Sequence, residues 1–143
     1  MRTTRCAVPL ALSLALALPA AAAASVSLTF DHWEIDTVDG KTHDVAKGGT
    51  FRRCPGKHIA GIVASGTVHG ATKGGANKAL WERNGDSIAK FPSTWKKTDG
   101  HVDFGIQNEG GSVPNGRYGV TVRAGGKALA STHVKIAKKT SGC

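Results

Sequence analysis

Apolar and polar side chains alternate with a period of two along much of this chain. Val26, Leu28 and Phe30 alternate with Ser27, Thr29 and Asp31, and Val102, Phe104 and Ile106 with Asp103 and Gly105. Tyr118, Val120 and Val122 alternate with Gly119, Thr121 and Arg123, and Thr132, Val134 and Ile136 with His133 and Lys135. A side chain every second residue on one face is the half-buried strand pattern. Fainter strands are expected at Trp33–Val38, His58–Val68, Lys78–Arg83 and Ser87–Phe91. No segment beyond the first 24 residues sustains a helical period.

Turn residues separate these runs. Asp39-Gly40, Gly48-Gly49, Asn84-Gly85, Asp99-Gly100, Asn115-Gly116 and Gly125-Gly126 supply the positive φ that tight hairpin turns need. Gly66 to Asn77 reads as one long flexible loop. Seven or eight short antiparallel strands joined in this way predict a single all-β sandwich. Its core is expected from the C-terminal half: Val102, Phe104, Ile106, Tyr118, Val120, Val122, Val134 and Ile136, together with Trp81.

The first 24 residues follow a different grammar. Arg2 and Arg5 precede the apolar run Leu10–Leu18, and Ala22-Ala23-Ala24 offers a small-residue cleavage site before Ser25. That is the pattern of a secretory signal peptide, and the run is too short to span a bilayer. Cys6 precedes the run, so it is not placed as a lipid-bearing cysteine at a cleavage point. The expectation is a leader over 1–24, a domain over 25–143 with no membrane span, and a secreted or periplasmic location.

Export changes how the cysteines are read. Cys54 and Cys143 are the two beyond the leader, and in an oxidising compartment they are expected to form one disulfide. No Cys-x-x-Cys spacing marks a redox site.

The formal net charge is +9 and unevenly spread. Ser25 to Asp44 holds Asp31, Glu34, Asp36, Asp39 and Asp44 against Lys41 alone, so the positive charge belongs to the remainder. Basic pairs occur at Arg52-Arg53, Lys96-Lys97 and Lys138-Lys139. A Cys54–Cys143 bridge would draw the first and third pairs together beside Lys57. Trp95, next to Lys96-Lys97, offers an aromatic contact of the kind that grips polyanions or glycans, although packing at the sandwich edge is its simpler use. Arg52, Arg53, Lys57, Trp95, Lys96, Lys97, Lys138 and Lys139 therefore form the candidate anion-binding surface, with an anionic surface ligand, a glycan or a protein as partner.

Catalytic signals are sparse. The six histidines stand singly, without His-x-His or His-Glu-x-x-His spacing, so no metal and no cofactor is expected. There is no Gly-x-Ser-x-Gly elbow. Asp31, Glu34 and Asp36 read as a surface strand ending in an acidic turn rather than as paired catalytic carboxylates. Gly66–Asn77 lacks the Gly-Lys-Ser/Thr ending of a phosphate loop, and nothing signals specific nucleic-acid binding.

Two stretches carry a resemblance. Trp81-Glu82-Arg83-Asn84-Gly85-Asp86-Ser87-Ile88 resembles the tryptophan, glycine-turn and strand hairpin of bacterial extracytoplasmic immunoglobulin-like domains. Val113–Val122 followed by Gly125–Ala130 is similar to their final hairpin. The likeness spans Lys78 to Ile136 and implies an immunoglobulin-like sandwich rather than any activity. No cysteine stands two residues after Tyr118, so the disulfide is not the usual bridge between the sheets. The expected function is an exported non-enzymatic binding or structural module. A small secreted inhibitor of lysozymes or proteases is the alternative, followed by an exported hydrolase of unrecognised type.

Overall fold

A computed structural model describes residues 25–143 and shows nine strands in two sheets, an all-β sandwich. The expected leader lies outside the described residues. The strands are β1 (Ser27–Thr37), β2 (Thr42–Ala46), β3 (Thr50–Arg53), β4 (Ile59–His69), β5 (Ala76–Arg83), β6 (Asp86–Thr94), β7 (Gly100–Gln107), β8 (Gly116–Ala124) and β9 (Lys127–Lys138). One sheet has the order β2-β1-β4-β7, the other β3-β9-β8-β5-β6. All pairs are antiparallel except β3 with β9, which run parallel. The expected seven or eight wholly antiparallel strands are corrected on both points. β2 and β3 are short and largely exposed, so neither carries a strong apolar alternation.

The glycine turns do their predicted work. At the β5–β6 turn Asn84 and Gly85 both have positive φ, 51° and 87°, the combination that matches a two-residue turn to the twist of its strands. Gly125 and Gly126, at φ 56° and 75°, turn β8 into β9 in the same way.

β1 is one strand where two runs were expected. Leu28 and Phe30 point inward, then Trp33 and Ile35 do, because the register against β4 shifts between Phe30 and His32. The bulge absorbs one residue and exchanges the parity of the inward side chains. Across from it sits Gly66, where an added Cβ would stand 2.6 Å from the carbonyl oxygen of Thr29. Gly66 thus belongs to β4, and the loop expected over Gly66–Asn77 is confined between His69 and Ala76.

The core draws on both halves of the chain, which corrects the expectation of a C-terminal core. Trp33, Ile35, Ile59, Ile62, Ala64 and Val68 are as fully buried as Trp81, Val122 and Val134. Val102, Phe104 and Ile106 are only half-buried. β7 is an edge strand with β4 as its single neighbour, so its inward side chains are covered on one side only. Tyr118, Val120 and Ile136 lie in the core as their parity predicts.

Candidate functional site

One end of the sandwich gathers Arg52, Arg53, Lys57, Lys138 and Lys139. Cys54, just after β3, is bonded to Cys143, just after β9, with Cα atoms 5.7 Å apart. Beside the bond Arg53 and Lys138 are register partners on the parallel strands, and Lys139 N–H donates to the Arg53 carbonyl at 2.7 Å. The first and third basic pairs meet here as the sequence led us to expect. Beyond Cys54 a tight turn brings Lys57 N–H to the Cys54 carbonyl at 3.1 Å. His58 then anchors the β1–β2 turn, its carbonyl accepting from Val38 N–H at 3.0 Å.

Between that turn and β3 lies a groove of about 630 Å³. Val38 and Phe51 give it an apolar surface, and Lys41, Arg52, Arg53, Lys57 and His58 line it with cationic or protonatable groups. Val38 is 62% exposed. The His43 ring meets Phe51 with centroids 5.2 Å apart. Asp39 is the one carboxylate among the lining residues. The Thr37 hydroxyl donates to it and lowers its pKa below the ordinary 3.8, an effect opposed by desolvation and helped by Lys41 and Lys57. A second depression of about 360 Å³ adjoins, sharing Arg53, Lys57 and His58 and adding Lys138.

The cations here differ in what they do. Arg53 is committed to the fold, with its Nη1 donating to Ser112 Oγ at 2.7 Å and to the Val113 carbonyl at 3.1 Å. Among the described residues every ion pair joins a histidine to a carboxylate, so none of Lys41, Arg52, Lys57 and Lys138 is in one.

The other members of the expected surface lie elsewhere. β4 begins beside the groove at Ile59 and ends at His69, and its 11 residues separate those ends by roughly 33 Å. Lys96 and Lys97 sit at the far end, just before Gly100, which pairs with Val68. Trp95 is 4% exposed and packs edge-on against Phe104, centroids 6.4 Å apart, so its ring is a core contact.

A second cluster, missed in the sequence, crosses the outer face of the β2-β1-β4-β7 sheet. His32 Nε2 lies 3.2 Å from Glu34 Oε1 and 3.8 Å from Asp44 Oδ1. His32 and Glu34 share a face as residues two apart, and Asp44 is the register partner of Glu34 across the hairpin. Ser65, fully buried, places its hydroxyl 3.2 Å from Glu34 Oε1 and 2.7 Å from Asp103 Oδ1. His101 Nε2 closes the row at 2.9 Å from Asp103. The histidines are isolated in sequence, but three of the six have carboxylate neighbours in space. The available signal was His32-x-Glu34, readable only once the β1–β2 hairpin is known.

Cys54 is consumed by its disulfide. The groove's chemistry is that of charge complementarity over an apolar patch. No protein-family model matches the chain, and no curated protein matches it.

Proposed function

We propose that this chain is an exported, immunoglobulin-like binding domain that holds an anionic ligand, without turnover, in the groove beside Cys54. Two features support the immunoglobulin-like reading. The orders β1-β4-β7 and β9-β8-β5-β6 resemble the A-B-E and G-F-C-C′ runs of that fold, with no strand in the place of D and with β2 and β3 added at the edges. Trp81 is buried on β5, where that fold carries its tryptophan, and Tyr118 at the start of β8 donates its hydroxyl to the Pro114 carbonyl at 2.8 Å. The leader pattern and the disulfide support export.

The observation that carries the binding reading is the groove itself, with Lys41, Arg52 and Lys57 around exposed Val38 and half-buried Phe51. Loops and edges on a rigid sandwich suit binding, and an anion that also carries an apolar or sugar face fits this lining. A sulfated polysaccharide is a practical probe. It should bind, more weakly as salt screens the charges, and Arg52→Ala with Lys57→Ala should weaken it at least tenfold. Lys96→Ala with Lys97→Ala should leave binding as it was. Equal losses in the two double variants would mean diffuse charge attraction, and the groove reading would fail.

A further inference from the structure

We propose that His32, Glu34 and Asp44 form a binding site for a divalent metal ion of the zinc class on the outer face of the β2-β1-β4-β7 sheet. Their three donor atoms all lie within 4.8 Å of one another. Zinc holds nitrogen and carboxylate oxygen ligands at about 2.0–2.2 Å, which sets neighbouring ligands of a tetrahedron about 3.4 Å apart. The distances from His32 Nε2, 3.2 Å to Glu34 and 3.8 Å to Asp44, bracket that edge. Small side-chain rotations therefore suffice to close the three donors on one ion.

The ligands sit on a firm base. Two are on one strand at i and i+2, and the third is fixed by hairpin register. The Ser65 hydroxyl has one proton, and the carboxyl groups of Glu34 and Asp103 both offer it acceptor oxygens. Ser65 serves Asp103 at the shorter distance, and Glu34 is left facing His32 and Asp44. No lysine or arginine forms an ion pair with these carboxylates among the described residues.

The donor set selects the ion. One imidazole and two carboxylates suit zinc and its transition-metal neighbours, whereas calcium wants six to eight oxygens. Asp44 is largely exposed, its side chain at 79%, so the ion enters from solvent and keeps a position for water or an external ligand.

The test is calorimetric titration of zinc into the purified protein, prepared without a polyhistidine tag. One equivalent should bind and raise the melting temperature. His32→Ala and Asp44→Asn should each weaken binding more than tenfold, and His133→Ala not at all. Asp44→Asn alters an exposed side chain, so its loss of binding is not a folding defect. Absence of zinc binding, equal binding of calcium, or unchanged binding in both His32→Ala and Asp44→Asn would each overturn the site.

Discussion

Trp33 and Trp81 meet edge-to-face across the sandwich, ring centroids 5.8 Å apart and planes inclined at 73°. One comes from β1 and the other from β5, so the contact joins the two sheets at its largest side chains. Trp33 also donates its indole N–H to Thr132 Oγ1 on β9 at 3.1 Å. Either tryptophan replaced by alanine should cost about 3–5 kcal/mol, a large part of a domain's net stability. Trp33→Phe should cost less, because it keeps an aromatic contact and loses the hydrogen bond, worth about 1 kcal/mol. Denaturant melts would check the ranking, and an alanine variant as stable as the parent would remove this pair from the centre of the core.

The disulfide should matter through the unfolded chain. Its cysteines are 89 residues apart, so the closed loop spans most of the domain. Loop-closure entropy makes such a bond worth roughly 4–5 kcal/mol. Cys54→Ala with Cys143→Ala, or reduction, should lower the denaturant midpoint by that stability. The folded strands should survive, since the core lies elsewhere. A midpoint insensitive to reductant would show that the chain ends are not the constraint they look to be.

How much of this was legible beforehand depends on where each strand sits. β8 and β9 have one buried and one exposed face, so Tyr118, Val120, Val134 and Ile136 announced themselves by parity. β4 is buried on much of both faces and loses the period of two, which left it a faint signal. β1 changes parity at its bulge and read as two runs. β2 and β3 owe their form to partners: β3 pairs with β9 from the far end of the chain, and no local pattern records that. The basic groove was half legible, since the disulfide linked Arg52-Arg53 to Lys138-Lys139, while Val38 and Lys41 arrive through the β1–β2 turn and face Phe51 of β3. The same hairpin assembles His32, Glu34 and Asp44, which is why three separated residues gave no metal signature.

Gly66 offers a sharp local test of the bulge. Alanine there would force its Cβ against the Thr29 carbonyl, backbone that has no rotamer to yield. Gly66→Ala should destabilise the domain by about 1–3 kcal/mol through overpacking. Alanine at Gly56 meets no atom within 4 Å, but its φ of 77° is one that side chains rarely adopt, so that variant should show the backbone cost alone. Thermal melts of the two variants separate collision from conformation, and a harmless Gly66→Ala would mean that β1 and β4 can part there.

Asp39 gives a prediction at low pH. The Thr37 hydroxyl holds its pKa below 3.8, against some desolvation and with help from Lys41 and Lys57. A depressed folded value means a contribution present above the unfolded pKa and lost as the pH falls below 3.8 through the folded value. Thr37→Val removes the leading cause, so carboxyl titration by NMR should find Asp39 protonating at higher pH than in the parent. An unchanged midpoint would assign the depression to the lysines instead.

Tyr118 gives the matching prediction at high pH. Burial raises its phenol above the ordinary 10.0, with Arg83 and Arg53 pulling the other way. The buried hydroxyl is also a donor, bonded to the Pro114 carbonyl, and a phenolate can only accept. Raising the folded pKa means that the folded state keeps its proton longer than the unfolded one. The resulting stability is fully present below 10.0 and is lost as the pH rises through the folded value. Tyr118→Phe deletes both the hydrogen bond and the titration. At neutral pH it should therefore melt lower than the parent, by about 1–2 kcal/mol of stability. As the pH climbs past 10.0 the parent alone pays for ionising or staying protonated, so the gap should narrow. Melts at a series of alkaline pH values, paired with ultraviolet titration of this single tyrosine, read both quantities. A constant gap across the series would mean that Tyr118 ionises as it does in the unfolded chain, and the burial of its hydroxyl would not be what holds the β8 corner.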